Sequence, residues 1–97
     1  MKVRFTWRAR SDLEEIGDYI SQRNPSAAIR VRNAIRRSID LVMAFPRRGR
    51  KQKTSNARKV GAGKYPYNIY YRIDEIDQAI VVLQIRHASR RPRHEDR

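Results

Sequence analysis

The spacing of hydrophobic residues changes along the chain, and each change marks a new predicted element. At the start, Val3, Phe5 and Trp7 alternate with polar residues. A period of two is typical of a strand with one buried face. The pattern therefore predicts a half-buried strand over Lys2–Trp7.

A helix is predicted directly after this strand. Ser11 followed three residues later by Glu14 matches a capping box, which satisfies backbone N–H groups at the start of a helix. The apolar residues that follow at helical spacing are Leu13, Ile16 and Ile20. We expect the helix to begin at Ser11 and to run to about Arg23. Three acids then fall in its first turn, where the helix dipole favours negative charge: Asp12, Glu14 and Glu15.

A second predicted helix follows at once. Asn24 is a favoured N-cap residue, and Pro25 suits the first helical position, where its missing N–H costs nothing. The helix ends before Pro46, because proline disfavours helical geometry in the preceding Phe45. Its expected buried face carries Ala28, Val31, Ile35, Ser38 and Val42. So short a link between two helices predicts an antiparallel helical hairpin.

The second half of the chain has the composition of a loop followed by three strands. The loop, Arg47–Asn56, has many charges and no apolar residue, so we expect it to be mobile. The strands are predicted over Ala57–Val60, Tyr67–Ile73 and Ala79–Ile85, with turns over Gly61–Gly63 and Asp74–Asp77. The order of elements predicts an α+β fold. An N-terminal strand precedes an antiparallel helical hairpin, and a three-stranded antiparallel segment completes one sheet.

Charge is the strongest feature of the composition. Twenty-three Lys and Arg against ten Asp and Glu give a net charge of +13. Such a charge attracts nucleic acid, ribosomes, acidic proteins or anionic membranes. From Leu41 to Ile73 there are many bases and no acid, so one side of the molecule should be strongly positive.

Several classes of protein are excluded by what the sequence lacks. There is no cysteine, so neither a disulfide nor a zinc–thiolate site is expected. No stretch approaches the ~20 apolar residues of a membrane span, and the N-terminus lacks the apolar run of a secretion signal. We therefore expect a soluble, cytoplasmic, single-domain protein that has no membrane partner, metal or other cofactor.

The candidate binding residues are bases in the loop, on the strands and after the last strand. They are Arg47, Arg48, Arg50, Arg72, Arg86, Arg90 and Arg91, together with His87. The loop bases have no acid nearby in sequence and no apolar residue to anchor them, so we expect them to serve binding rather than folding. His87 is the one plausible general acid or base, but a lone histidine needs a partner group for catalysis.

Tyrosines cluster around the second of the three strands, and they could either stack RNA bases or pack in the core. Alternation places Tyr67, Ile69 and Tyr71 on one face of this strand, with Tyr70 and Arg72 on the other. We expect one of the two sets to pack under the helices.

Five short segments combine into a pattern that extends over most of the chain. They are Ala9-x-x-Asp12-Leu13-x-x-Ile16-x-x-Tyr19-Ile20, Asn24-Pro25-x-Ala27-Ala28, Phe45-Pro46-Arg47-x-Gly49-Arg50, Lys64-Tyr65-Pro66-Tyr67-x-Ile69-x-Tyr71-Arg72-Ile73 and Ile85-x-His87-Ala88. In this order and spacing the chain resembles the ParE/RelE toxin superfamily of type II toxin–antitoxin systems. The resemblance implies a toxin domain over residues 1–91 with a groove that an antitoxin segment fills. We expect residues 92–97 to form a disordered basic tail.

The resemblance implies one of two cellular targets. RelE-like members are ribosome-dependent mRNA endonucleases, and ParE-like members inhibit DNA gyrase. The nucleases commonly have an Arg where this chain has Asn68 and often a Tyr in the tail, whereas no Tyr follows Tyr71 here. The Tyr-Pro-Tyr and Phe-Pro-Arg-x-Gly-Arg segments look more like ParE. We therefore expect a gyrase inhibitor that a cognate antitoxin neutralises in a hetero-oligomer.

Two alternatives stay open at this point. In an mRNA endonuclease, charge stabilisation and proton transfer would fall to Arg58, Lys59, Arg86 and His87. A non-toxic nucleic-acid-binding module would need direct base readout, and the sequence has no recognition-helix or finger pattern. Growth arrest on expression without the antitoxin would separate a toxin from such a module.

Overall fold

The computed structural model describes residues 1–89, which form two helices and a five-stranded sheet. The predicted tail, residues 92–97, lies outside the described residues. The elements are β1 (Lys2–Phe5), α1 (Trp7–Ser21), α2 (Pro25–Ala44), a 3-10 helix (Pro46–Arg48), β2 (Arg50–Lys51), β3 (Arg58–Ala62), β4 (Tyr65–Asp74) and β5 (Ala79–His87). The strand order is β1-β5-β4-β3-β2, with β1 parallel to β5 and the other pairs antiparallel. The α+β prediction is confirmed.

The N-cap of the first helix lies five residues earlier than the sequence pattern predicts. Thr6 is its N-cap, because the Thr6 hydroxyl accepts the Ala9 N–H at 3.0 Å. The same hydroxyl donates to the Leu83 carbonyl on β5 at 2.8 Å. This tertiary contact selects Thr6 over Ser11, so the predicted capping box is wrong. Trp7 belongs to the helix and not to the strand, and it is 82% exposed.

The second helix begins and ends where predicted. The Asn24 side chain accepts the Ala27 N–H at 3.1 Å, and Pro25 occupies the first turn. Four of the five residues assigned to the inner face are buried: Ala28, Val31, Ile35 and Val42. The fifth, Ser38, donates its hydroxyl to the Gly61 carbonyl of β3 at 2.9 Å. This hydrogen bond fixes α2 to β3, the strand next to the β2 edge of the sheet.

The segment predicted as one mobile loop contains two regular elements, the 3-10 helix and β2. Lys51 on β2 pairs with Arg58, and Arg50 pairs with Lys59, so the start of the segment belongs to the sheet. The turn predicted over Gly61–Gly63 is also shifted. β3 continues through Ala62, and the chain reverses at Gly63, whose φ of +64° is the left-handed conformation that favours glycine.

Both helices pack on one face of the sheet, and the core lies between the helices and that face. Tyr67, Ile69 and Tyr71 of β4 are buried in this core, which confirms the predicted packing of that set. The other main contributions come from Val31, Ile35, Ile39 and Val42 of α2 and from Ile80, Val82 and Ile85 of β5. We call the sheet face opposite the helices the outer face.

Candidate partner-binding surfaces

The basic turn, residues 46–49, is held from beneath by two side chains of the sheet. The Tyr71 hydroxyl donates to the Pro46 carbonyl at 2.6 Å and accepts the Gly49 N–H at 3.0 Å. Arg58 lies directly opposite Tyr71 on β3 and donates through Nη1 to the carbonyls of Arg47 (3.2 Å) and Gly49 (2.9 Å). We call this pair of side chains the Tyr71–Arg58 clamp. It satisfies backbone groups that a loop would otherwise expose to water.

Gly49 is required by the close approach of the clamp. A Cβ atom added at Gly49 would lie 2.5 Å from the Tyr71 hydroxyl oxygen and 3.0 Å from Cβ of Arg58. Tyr71 is only 1% exposed, so its ring has little freedom to move away. The basic turn therefore has one well-defined seat on the sheet.

The bases in the turn and directly after it differ in their surroundings. Arg47 forms an ion pair with Glu75, with Nη2 2.9 Å from Oε2 and both side chains about two-thirds exposed. Arg47 has no acid nearby in sequence, but Glu75 is near it in space and pairs with it. Arg48 and Arg50 are exposed on either side of Gly49. An acidic partner can reach both.

The outer face carries a second group of bases. In an antiparallel sheet, residues directly opposite each other share a face. Arg50 is opposite Lys59, which is opposite Tyr70, and Arg86 is opposite Asn68. The full set assigned to this face by the pairing register is Lys2, Arg4, Arg50, Lys59, Arg72 and Arg86. Three of these bases, Arg50, Lys59 and Arg72, come from the acid-free segment Leu41–Ile73, as do Arg47 and Arg48 of the basic turn.

One base of the outer face is already neutralised. Arg4 contacts Oδ2 of Asp74 at 2.9 Å and Oδ2 of Asp77 at 2.7 Å. The Asp77 backbone N–H, which donates to Asp74 at 3.1 Å, and then the Arg4 guanidinium lower the pKa of Asp74. The same carboxylates raise the pKa of Arg4. This network joins β1 to the hairpin turn between β4 and β5.

At the end of β5, the side chains of Arg86 and His87 are assigned to opposite faces of the sheet. Arg86 is opposite Asn68 on the outer face, whereas His87 is opposite Tyr67 on the helix side. The His87 ring makes an edge contact with Tyr67, with centroids 5.3 Å apart, and Nδ1 accepts the Ser89 N–H at 3.2 Å. Within residues 1–89, the outer face therefore has bases but no histidine.

An open groove of about 610 Å³ lies between α1 and the end of β5. His87 and Arg86 both line it at the strand edge, and Asp12 and Glu15 line it from α1. Asp12 also fixes α1 to the sheet, since its Oδ2 accepts the Ile85 N–H at 2.9 Å. Arg8 lines the groove as well, so the formal charges of its two arginines and two carboxylates cancel.

Of the four residues proposed for RNA cleavage, only Arg86 and His87 line the same groove. Arg58 belongs to the clamp, Lys59 and Arg86 lie on the outer face, and His87 lies on the helix side. The remaining predicted binding residues, Arg90 and Arg91, lie outside the described residues.

Neither a metal site nor a membrane span was found in the described part of the chain. Residues 1–89 contain no group of three or more His, Cys, Asp or Glu side chains placed to hold a metal ion. Over the same residues, no helix has the length and hydropathy needed to cross a membrane.

Sequence reasoning missed the structural roles of Tyr71, Arg58 and Gly49. One signal was present: alternation places Tyr71 inside, and a buried tyrosine hydroxyl usually has a hydrogen-bond partner. The partner could not be identified, because Pro46 and Gly49 lie more than twenty residues away in sequence. The same holds for Arg4, whose partners Asp77 and Asp74 lie 73 and 70 residues away in sequence.

Solved structures of toxins share this fold. A chain of the chromosomal ParDE toxin–antitoxin system from P. aeruginosa superposes with a TM-score of 0.76 at 21% identity, over 90% of this chain and 95% of that one. The isolated E. coli RelE toxin gives a TM-score of 0.67 at 14% identity, over 98% of this chain and 92% of that one. The architecture is that of the ParE/RelE toxins.

Sequence similarity extends the comparison from fold to family. The family model described as ParE toxin of type II toxin–antitoxin system, parDE, matches residues 3–92. Toxin RelE2 of Caulobacter vibrioides is 37% identical over 89 residues, which cover 92% of this chain and 97% of the relative. The chain therefore belongs to the ParE toxin family of type II toxin–antitoxin systems.

Proposed function

We propose that this toxin acts on DNA gyrase in the manner expected of a ParE-like protein, and that a cognate antitoxin neutralises it. The observation that carries the choice of target is the separation of His87 from the outer face. General acid–base catalysis of RNA cleavage needs a proton-transfer group beside the scissile phosphate. In residues 1–89 the only histidine is directed towards Tyr67 and Ser89, on the opposite side of the sheet from Lys59 and Arg72. Of the outer-face bases, only Arg86 lines the same groove as His87.

The choice of target is tested by two assays run in parallel on the same purified protein. One measures gyrase supercoiling, and the other measures cleavage of ribosome-bound mRNA. We expect inhibition of supercoiling and no appreciable cleavage. Cleavage at the ribosomal A site that is lost on His87→Ala would reverse this assignment.

The mRNA endonuclease remains the second candidate because bases do converge on the outer face. Lys59, Arg72 and Arg86 share that face and could hold an RNA backbone. A nuclease that worked through charge stabilisation alone would lose cleavage on Lys59→Ala or Arg86→Ala and would tolerate His87→Ala. The His87→Ala and Lys59→Ala variants therefore separate the two modes of cleavage, if cleavage occurs.

An acidic antitoxin, encoded next to the toxin, is the proposed partner. Support comes from the net charge of +13 and from the solved relatives, which include toxin–antitoxin complexes such as RelBE of E. coli. Binding to the folded toxin should raise its melting temperature, and the rate of association should fall as salt rises. Failure of the two gene products to co-purify at low salt would contradict this partner.

The growth assay addresses the remaining alternative, a non-toxic nucleic-acid-binding module. Expression of the toxin alone should arrest growth, and co-expression of the neighbouring gene should restore it. Normal growth with abundant folded protein in the absence of the antitoxin would contradict a toxic function.

A further inference from the structure

The basic turn is attached to the core by side-chain hydrogen bonds whose role the proposed function does not explain. Most surface turns are held by hydrogen bonds within their own backbone. Here the Pro46 carbonyl and the Gly49 N–H both form hydrogen bonds with the hydroxyl of Tyr71, a core side chain that is 1% exposed. Arg58 adds hydrogen bonds to two carbonyls of the same turn. Movement of the turn would leave a buried hydroxyl without partners, which is unfavourable.

The clamp determines the direction of the bases around it. Arg48 precedes Gly49 and Arg50 follows it, so fixing both the N–H and the carbonyl of Gly49 fixes where each arginine leaves the backbone. Both side chains are exposed. Arg50 also joins the outer face, where it is opposite Lys59. The two arginines are thus presented from one rigid support.

A rigid support matters for binding because ordering a flexible segment opposes association. Two arginines on a mobile loop would have to be ordered by the partner, whereas two on a clamped turn are already in place. Planar guanidinium groups gain most from fixed placement, since they bind carboxylates through paired hydrogen bonds.

We propose that Tyr71 and Arg58 are positioning residues that hold Arg48 and Arg50 in place for carboxylates of the antitoxin. The proposal rests on the antitoxin partner proposed above. In this assignment, Tyr71 and Arg58 contact no partner atom. They act through the basic turn, and the expected signature is a loss of affinity that depends on the two arginines.

The test is a double-mutant cycle with purified toxin variants and the purified product of the neighbouring antitoxin gene. Tyr71→Phe removes only the hydroxyl and keeps every charge and the ring in the core. We expect it to weaken antitoxin binding by on the order of tenfold at low salt, with a shallower dependence of affinity on salt. In the Arg48→Ala, Arg50→Ala background, the same change should weaken binding no further.

Two further measurements separate positioning from a general loss of stability. Amide exchange at Gly49 should accelerate in Tyr71→Phe, while exchange in the paired region of β4 and β5 stays slow. Tyr65→Phe is the matched control, since it removes a hydroxyl from the same face of β4 about 20 Å along the strand. This control should bind antitoxin as the wild type does. Arg58→Lys keeps the charge of Arg58 and should show a smaller loss than Tyr71→Phe.

The outcomes that overturn the proposal are distinct from those that overturn the proposed function. If wild-type toxin does not bind the antitoxin, the proposed function fails and this inference fails with it. If the wild type binds and Tyr71→Phe binds equally well, only the inference fails. A loss of affinity that is just as large when Arg48 and Arg50 are already alanine would also overturn it, because Tyr71 would then act independently of them.

Discussion

The basic turn after α2 and the acidic hairpin turn between β4 and β5 are neighbours, joined by the Arg47–Glu75 ion pair, but they are stabilised in different ways. The basic turn is held by hydrogen bonds from a buried tyrosine and a half-buried arginine. In the hairpin turn the Asp77 N–H donates to Asp74, and Arg4 adds solvent-accessible ion pairs with Asp74 and Asp77. The first arrangement depends on fit, and the second depends on charge.

This difference predicts different vulnerabilities. Interactions that depend on close packing are sensitive to a single added methyl group and insensitive to pH or salt. Exposed ion pairs tolerate changes of shape, contribute little individually and weaken as salt rises or as the carboxylates are protonated.

The largest effect is expected for Gly49→Ala. The added methyl group would lie 2.5 Å from the Tyr71 hydroxyl oxygen, so either the ring or the turn must shift and the clamp must break. We expect a loss of about 1–3 kcal/mol in the free energy of unfolding, the range for overpacked sites, measured by urea denaturation. Gly61→Ala is the control, because a Cβ at Gly61 meets nothing within 4 Å. Equal effects of the two changes would contradict the clamp.

An intermediate effect, restricted to acid pH, is expected at the hairpin turn. The pKa of Asp74 is lowered by the Asp77 backbone N–H and by Arg4. A carboxyl whose pKa is lower in the folded state stabilises the fold above its unfolded pKa. That contribution is lost as pH falls through the folded pKa, which lies below the ordinary value of 3.8.

Asp74→Asn tests this pH dependence directly. The substitution should lower stability at neutral pH and reduce the further loss between about pH 4 and pH 2, as measured by urea midpoints across that range. Asp18→Asn, at an exposed position on α1, serves as the matched control. If both variants lose stability in acid as steeply as the wild type, the Asp74 network does not stabilise the hairpin turn.

The smallest effect on stability is expected for the triple change Arg47→Ala, Arg48→Ala, Arg50→Ala. All three side chains are exposed, and only the solvent-accessible pair with Glu75 is lost. The melting temperature should change little, because such changes stay within roughly ±0.5 kcal/mol. Antitoxin affinity or toxicity should fall clearly. A folded triple variant with unchanged affinity and toxicity would show that these bases are only a solvated surface.

The parts of the fold that could be predicted from sequence are those determined by neighbouring residues. Asn24 and Pro25 specify the start of α2 by themselves, and the alternation of Tyr67, Ile69 and Tyr71 identifies both a strand and its buried face. The start of α1 could not be predicted in this way, because the cap at Thr6 is selected by the Leu83 carbonyl on β5. Local preference at Ser11 was overridden by a contact across the fold.

The candidate surface shows the same division. The positive charge of this surface could be predicted from the sequence, since the bases from Arg47 to Arg50 are consecutive apart from a glycine. The fixed conformation of the basic turn could not be predicted in this way. The two side chains that hold it, Tyr71 and Arg58, belong to β4 and β3. Composition alone predicts mobility for such a segment, and the buried hydroxyl beneath it reverses that expectation.

The pairing of the first strand with the last one has a consequence for synthesis on the ribosome. Lys2 of β1 pairs with Ala79 of β5, so β1 emerges long before the strand that it must join. At translation rates of ~5–20 residues per second, that delay is roughly 4 to 15 seconds. During this interval the nascent chain cannot complete its sheet, and the outer face cannot assemble. A toxin built this way completes its outer face only near the end of its own translation.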